Sequence, residues 1–148
     1  MENGRMTSRP RADGMTTGMA GRFVMSARSS QIVADATPAS GGPGEAFVAQ
    51  ELFLASLATC ALAVIDHAAR EERLPSRVHV QAESDIDPAD TTRYRGVSLE
   101  FRFADVEQRQ AEALVAAFTA VCPIYNTIAR TTPVAIAVHI IPAAGVQG

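Results

Sequence analysis

Lysine is absent from this chain of 148 residues, so all 13 of its basic side chains are arginines. The phosphate loop of nucleotide-hydrolysing proteins needs a lysine. So does Schiff-base chemistry with a carbonyl substrate or pyridoxal phosphate, and both are excluded. No long basic stretch occurs and the net charge is −3, which argues against a nucleic-acid partner. Tryptophan is missing and only 5% of residues are aromatic, yet the 47% hydrophobic content is ordinary for a folded globular protein. Cysteine is scarce. Cys60 and Cys122 cannot staple a disulfide scaffold, and with three scattered histidines they form no zinc signature.

The polar stretch 1–14 contains Arg5, Arg9 and Arg11 but no apolar segment, so it does not read as a secretory signal. It is expected to be a disordered tail before a single domain over residues 15–148. A cytoplasmic setting follows by default, where a reduced cysteine pair is more often reactive than architectural.

The longest apolar run, Leu52 to Ile65, has 14 residues, short of the roughly 20 that span a bilayer. No membrane partner is therefore expected. Alanine and leucine favour helix, and apolar residues occupy every face. The run predicts a helix in the centre of the core, from Phe47 to Arg73, stopped by Pro75. Before it, Ala36 to Ala46 (ATPASGGPGEA) is too rich in glycine and proline for regular structure. Phe23–Met25 and Gln31–Ala34 read as two strands around a turn near Ser29 and Ser30. Val78, Val80 and Ala82 alternate with His79 and Gln81; a polar turn over 84–92 follows, and then Val97, Leu99, Phe101 and Phe103 alternate. Ala111, Leu114, Val115, Phe118 and Val121 recur at helical spacing. Pro123 starts a short helix to Arg130, and Val134 to Ile140 alternate as a last strand. The order β-β-α-β-β-α-α-β, with hairpin-like strand pairs, indicates an α+β fold.

On local physics Cys122 is the more reactive thiol, because free N–H groups at a helix start favour its thiolate. Cys60 lies mid-helix in apolar surroundings, which raise a thiol pKa unless a cation reaches it. His67 lies seven residues after Cys60, about 10.5 Å along a straight helix, too far to serve it as a base. His79 and His139 alternate with apolar strand residues and should face solvent, while Asn126 should satisfy local backbone.

The stretches GGPGEAFVAQELFLASLATC, ending at Cys60, and VCPIYNT, around Cys122, together resemble the OsmC/Ohr family (osmotically inducible protein C and organic hydroperoxide resistance protein). The pattern is a glycine/proline loop, a helix carrying A-x-C, and a later C-P-x-x-N-T. The resemblance covers Ala20 to Ile141, and the separation of 62 residues between the cysteines fits it. It implies an OsmC-like fold with a long buried central helix, assembled as an intertwined homodimer. It also implies a thiol peroxidase acting on organic hydroperoxides, without metal or organic cofactor, and re-reduced by an external dithiol. Cys60 would attack the peroxide and become a sulfenic acid; Cys122 would resolve it as a disulfide. The family's arginine matches Arg22, after Gly21, with Arg28 as the alternative. Phe47, Phe53 and Phe118 are candidates for an apolar entrance, or for core.

One position departs from the family pattern. Peroxidase members carry a glutamate ten residues before the first cysteine, where this chain has Gln50. Glu51, rotated by about 100° on a helix, cannot replace it. Gln50 can accept a hydrogen bond from arginine but brings no charge. The alternative reading is therefore an OsmC-like, stress-associated binding protein with little or no peroxidase turnover.

Overall fold

The computed structural model describes residues 9–146. The chain forms two compact units that divide between Leu52 and Phe53.

In the first unit, β1 (Asp13–Thr16), β2 (Arg22–Ala27) and β3 (Ser30–Asp35) form an antiparallel sheet in that order. Arg28 and Ser29 make the two-residue turn between β2 and β3, with Arg28 at φ 56°, the left-handed backbone such hairpin turns use. β1 was not foreseen, since its sequence DGMT has no apolar alternation and all four residues are exposed. Of the expected tail, residues 1–8 lie outside the described residues, and Asp13 and Gly14 pair with Ser26 and Met25.

The loop after β3 is ordered despite its glycines and prolines. It makes one 3-10 turn over Pro38–Ser40 and returns beside β3, where the Asp35 N–H donates to the Phe47 carbonyl at 2.9 Å. Gly42 has a specific reason to be glycine. A Cβ there would collide with the Ala36 carbonyl oxygen, and a Cβ on Gly21 would collide with the Gly42 backbone.

α1 (Ala49–Glu71) runs from this unit into the second. Glu51 reaches back to accept the Val48 N–H at 3.0 Å, satisfying a donor left free by the helix start. At 23 residues the helix is long and apolar enough to cross a membrane by length and composition, so the 14-residue run understates it. Only one i, i+4 stripe is fully buried (Leu57, Ala61, Ile65 and Ala69), although apolar residues lie all round. Leu62, on another face, is exposed.

The second unit carries the core. β4 (Val78–Asp87) and β5 (Asp90–Phe103) form a long antiparallel hairpin, and β6 (Val134–Ile140) joins β5 in parallel. Val97, Leu99, Phe101 and Phe103 of β5 meet the α1 stripe and the buried residues of α2 (Gln108–Val121). The polar stretch 84–92 is strand almost to its tip, leaving only Pro88 and Ala89 as turn. Its polar side chains pair instead of looping: Arg93 Nη2 lies 2.7 Å from Asp87, whose other oxygen accepts the Ala89 N–H at 2.9 Å. That N–H and the guanidinium lower the Asp87 pKa. His79 departs from the expected solvent-facing position. It is half-buried beside its register neighbour Arg102, and its Nδ1 is enclosed without a partner. His139, on the other side of Arg102, is exposed.

Candidate functional site

Cys60 projects from the middle of α1 and Cys122 sits at the corner where α2 gives way to α3 (Pro123–Ala129). The two are joined as a disulfide, with Cα atoms 6.4 Å apart, inside the range a disulfide bridges. Cys122 is completely buried. Its N–H donates to the Phe118 carbonyl at 3.0 Å, and its Sγ accepts the Tyr125 N–H at 3.3 Å. Phe118 and Tyr125 pack ring against ring beside it, at 5.3 Å between centroids. Such a pair can take up two electrons and two protons to become two thiols, and release them again. A backbone N–H aimed at a sulfur also favours negative charge on it.

A second cluster lies in the first unit. Arg22 and Asp35 are register partners on β2 and β3, so their side chains share one face of the sheet. Arg22 Nε and Nη2 donate to the two Asp35 oxygens, each at 2.9 Å, and Nη2 also donates to Glu45 Oε2 at 2.8 Å. The Asp35 carboxylate is 0% exposed and accepts two further bonds, from the Glu45 and Ala46 N–H groups, each at 2.9 Å. The glycine/proline loop delivers those two donors. The hydrogen bonds from Arg22 hold the Asp35 pKa well below the usual carboxylate range against the opposing effect of burial. Asp35 and Glu45 in turn raise the Arg22 pKa, so its charge is permanent.

Among the expected site residues, the structure joins Cys60 to Cys122 and sets Arg22 against Asp35 and Glu45. Gln50, in the first turn of α1, lines a cavity of about 400 Å³ together with Asp35, Phe23, Met25 and Leu52. Glu51 is occupied in capping α1. Arg28, the alternative cation, is exposed at the β2–β3 turn, and His67 is exposed on α1. Phe118 is core; Phe53 stacks on Tyr94 at 5.2 Å, and Phe47 is exposed. Among the described residues no group of three or more histidine, cysteine or acidic side chains could hold a metal ion.

Sequence reasoning missed Asp35 and Glu45. Asp35 ends a strand and Glu45 follows three glycines, so neither shows a pattern. The available signal was Arg22 itself, since a half-buried arginine requires a carboxylate opposite it in the sheet.

The sequence profile of OsmC-like proteins matches residues 42–137, well over half of the chain. No curated protein sequence matches it. Solved structures share the fold at low identity. An OsmC-like protein from Mycoplasma pneumoniae is 16% identical with a TM-score of 0.76, covering 93% of this chain and 99% of its own. An organic hydroperoxide resistance protein OsmC from Legionella pneumophila is 24% identical with a TM-score of 0.66, covering 88% and 95%. An organic hydroperoxide resistance protein from Elizabethkingia anophelis is 15% identical with a TM-score of 0.66, covering 91% and 98%. With its mixed α+β architecture, two three-stranded sheets and both cysteine motifs, the chain belongs to the OsmC-like protein family.

Proposed function

We propose that the protein is a thiol-dependent peroxidase that reduces organic hydroperoxides. The observation that carries this reading is the Cys60–Cys122 disulfide, which joins the middle of α1 to the α2–α3 corner beside the apolar core. The Cys60 thiolate attacks the terminal oxygen of the hydroperoxide. The O–O bond breaks, the alkoxide leaves and takes a proton to become an alcohol, and Cys60 becomes a sulfenic acid. The Cys122 sulfur then attacks the Cys60 sulfur, and the hydroxyl departs as water. An external dithiol completes the cycle by two exchange steps, ending as its own disulfide while both thiols are restored.

Cys60 is the peroxidatic thiol and Cys122 the resolving one, following the family resemblance. Arg22 is the residue we assign to lowering the Cys60 thiol pKa, and Gln50 takes the position of the family's glutamate. The working form we propose is a cytoplasmic homodimer without a metal or organic cofactor. Neither nucleic acid nor membrane is a partner in this reading. Support for the dimer comes from the apolar residues of α1 outside its buried stripe, Leu62 among them.

A second reading, a stress-associated binding protein of little turnover, is favoured by one observation: Gln50 supplies no charge where the family pattern has a glutamate. One experiment separates the two. Reduced wild-type protein should consume cumene hydroperoxide stoichiometrically, and Cys60→Ser should lose at least about 100-fold in rate. Equal, slow consumption by both proteins would leave the binding reading in place.

A further inference from the structure

We propose that Asn126 is a positioning residue for the resolving thiol, acting through the bend between α2 and α3; this rests on the peroxidase reading above. α2 leaves helical backbone at Cys122, with φ −72° and ψ 115°, and α3 sets off at 78° to it. In an unbroken helix the Thr119 carbonyl would accept the N–H of residue 123. That residue is proline and has no N–H to give.

The Asn126 side chain supplies what Pro123 lacks. Its Nδ2 donates to the Thr119 carbonyl at 2.9 Å and to the Cys122 carbonyl at 2.9 Å. Both partners only accept, so the amide nitrogen must face them. One amide thus ties the last turn of α2 to the corner residue across the bend. The Cys122 carbonyl also accepts the Asn126 N–H at 3.0 Å, while its N–H and Sγ are engaged as described above. Cys122 is therefore held through its nitrogen, its oxygen and its sulfur.

The rate at which one thiol closes on another in the same chain depends on how often they meet in bonding geometry. Loosening the bend lowers that frequency and leaves Cys60, on a different helix, as it was. The side chains that can replace Asn126 form a graded set. Alanine restores nothing, and aspartate is nearly isosteric but cannot donate. Serine can reach the carbonyl four residues back, as Thr127 Oγ1 does to Pro123 at 2.7 Å, so it keeps one of the two bonds.

Two measurements on the full chain test this. In the first, the dithiol is equilibrated with oxidised and reduced glutathione, each disulfide formed turning one oxidised glutathione into two reduced molecules. Asn126→Ala and Asn126→Asp should lower that equilibrium constant about tenfold or more, and Asn126→Ser by less. In the second, reduced protein receives t-butyl hydroperoxide with a cyclic 1,3-dione present to trap sulfenic acid at Cys60. The trapped fraction should rise in Asn126→Ala and Asn126→Asp, while the initial oxidation of Cys60 stays within about twofold of wild type. Folded variants that keep the wild-type glutathione equilibrium, whatever their melting temperature, would overturn the proposal. If wild type consumes no hydroperoxide but the variants still lower the equilibrium, the positioning role stands and the peroxidase reading falls.

Discussion

The cysteine pair and the arginine cluster are built on opposite physical principles. Around Cys60 and Cys122 nearly everything is apolar. Cys122 belongs to the core that Phe101, Phe118 and the Leu57–Ala69 stripe form, and Cys60 packs against it. Around Asp35 almost every contact is polar. A carboxylate fully out of water is kept charged by a guanidinium and two loop N–H groups, and those donors arrive only because Gly42 lets the loop lie against the backbone at Ala36 and Gly21. Packing tolerates small shifts, whereas a buried charge must keep its partners. The first region should therefore lose stability in proportion to the volume removed, and the second should fail when its geometry is disturbed.

The largest expected effect is in the packed region. Phe118→Ala removes a ring that touches Phe101 and Tyr125 and should cost about 3–5 kcal/mol in urea denaturation. Gly42→Ala adds a single methyl group to the polar region, against backbone that cannot move aside cheaply. It should cost about 1–3 kcal/mol, and a neutral result would break the contrast between the two regions.

Asp35→Asn keeps one acceptor oxygen for the loop N–H groups but turns its amide nitrogen towards Arg22 Nε. It removes the charge that the guanidinium pairs with, so it should also destabilise near neutral pH, by less than Phe118→Ala. Its distinguishing sign is the pH dependence. The folded pKa of Asp35 is depressed, so its stabilising contribution is complete above the ordinary carboxylate value of about 3.9. It is lost progressively as pH falls below that value and is gone below the depressed folded value. Thermal melts should show a constant gap between wild type and variant from pH 7 to about pH 4, closing in stronger acid. Smallest of all, Asp13→Asn breaks the exposed Arg11–Asp13 pair at 2.7 Å and should leave the melting temperature within error.

The same contrast explains how much of the molecule was legible in its sequence. Helix α2 and the strands β4–β6 have apolar residues at period 3.6 or 2, α1 is a long apolar run of helix-forming alanine and leucine, and their positions follow from that. Over the hairpin tip 84–92 polar residues occupy both faces, Ile86 aside, so alternation carries little signal there. β1 was unreadable for the same reason. At the site, the cysteines were legible through two motifs, and Asn126 as a residue that satisfies backbone. Its bond to Thr119 depends on a bend angle that no spacing encodes. Asp35 and Glu45 were hidden because a register pairing and a loop path bring them to Arg22.

In the proposed reaction Cys60 and Cys122 are a redox couple turned over by an organic hydroperoxide. Titrating the reduced protein with one equivalent of t-butyl hydroperoxide, then counting free thiols and mapping the linkage by mass spectrometry, tests it most directly. Two thiols should be lost per hydroperoxide consumed, with one Cys60–Cys122 linkage formed, and a sulfenic acid should be trapped at Cys60 when Cys122 is replaced by serine. Thiols that survive the titration, or a hydroperoxide that disappears equally fast with Cys60→Ser, would contradict it.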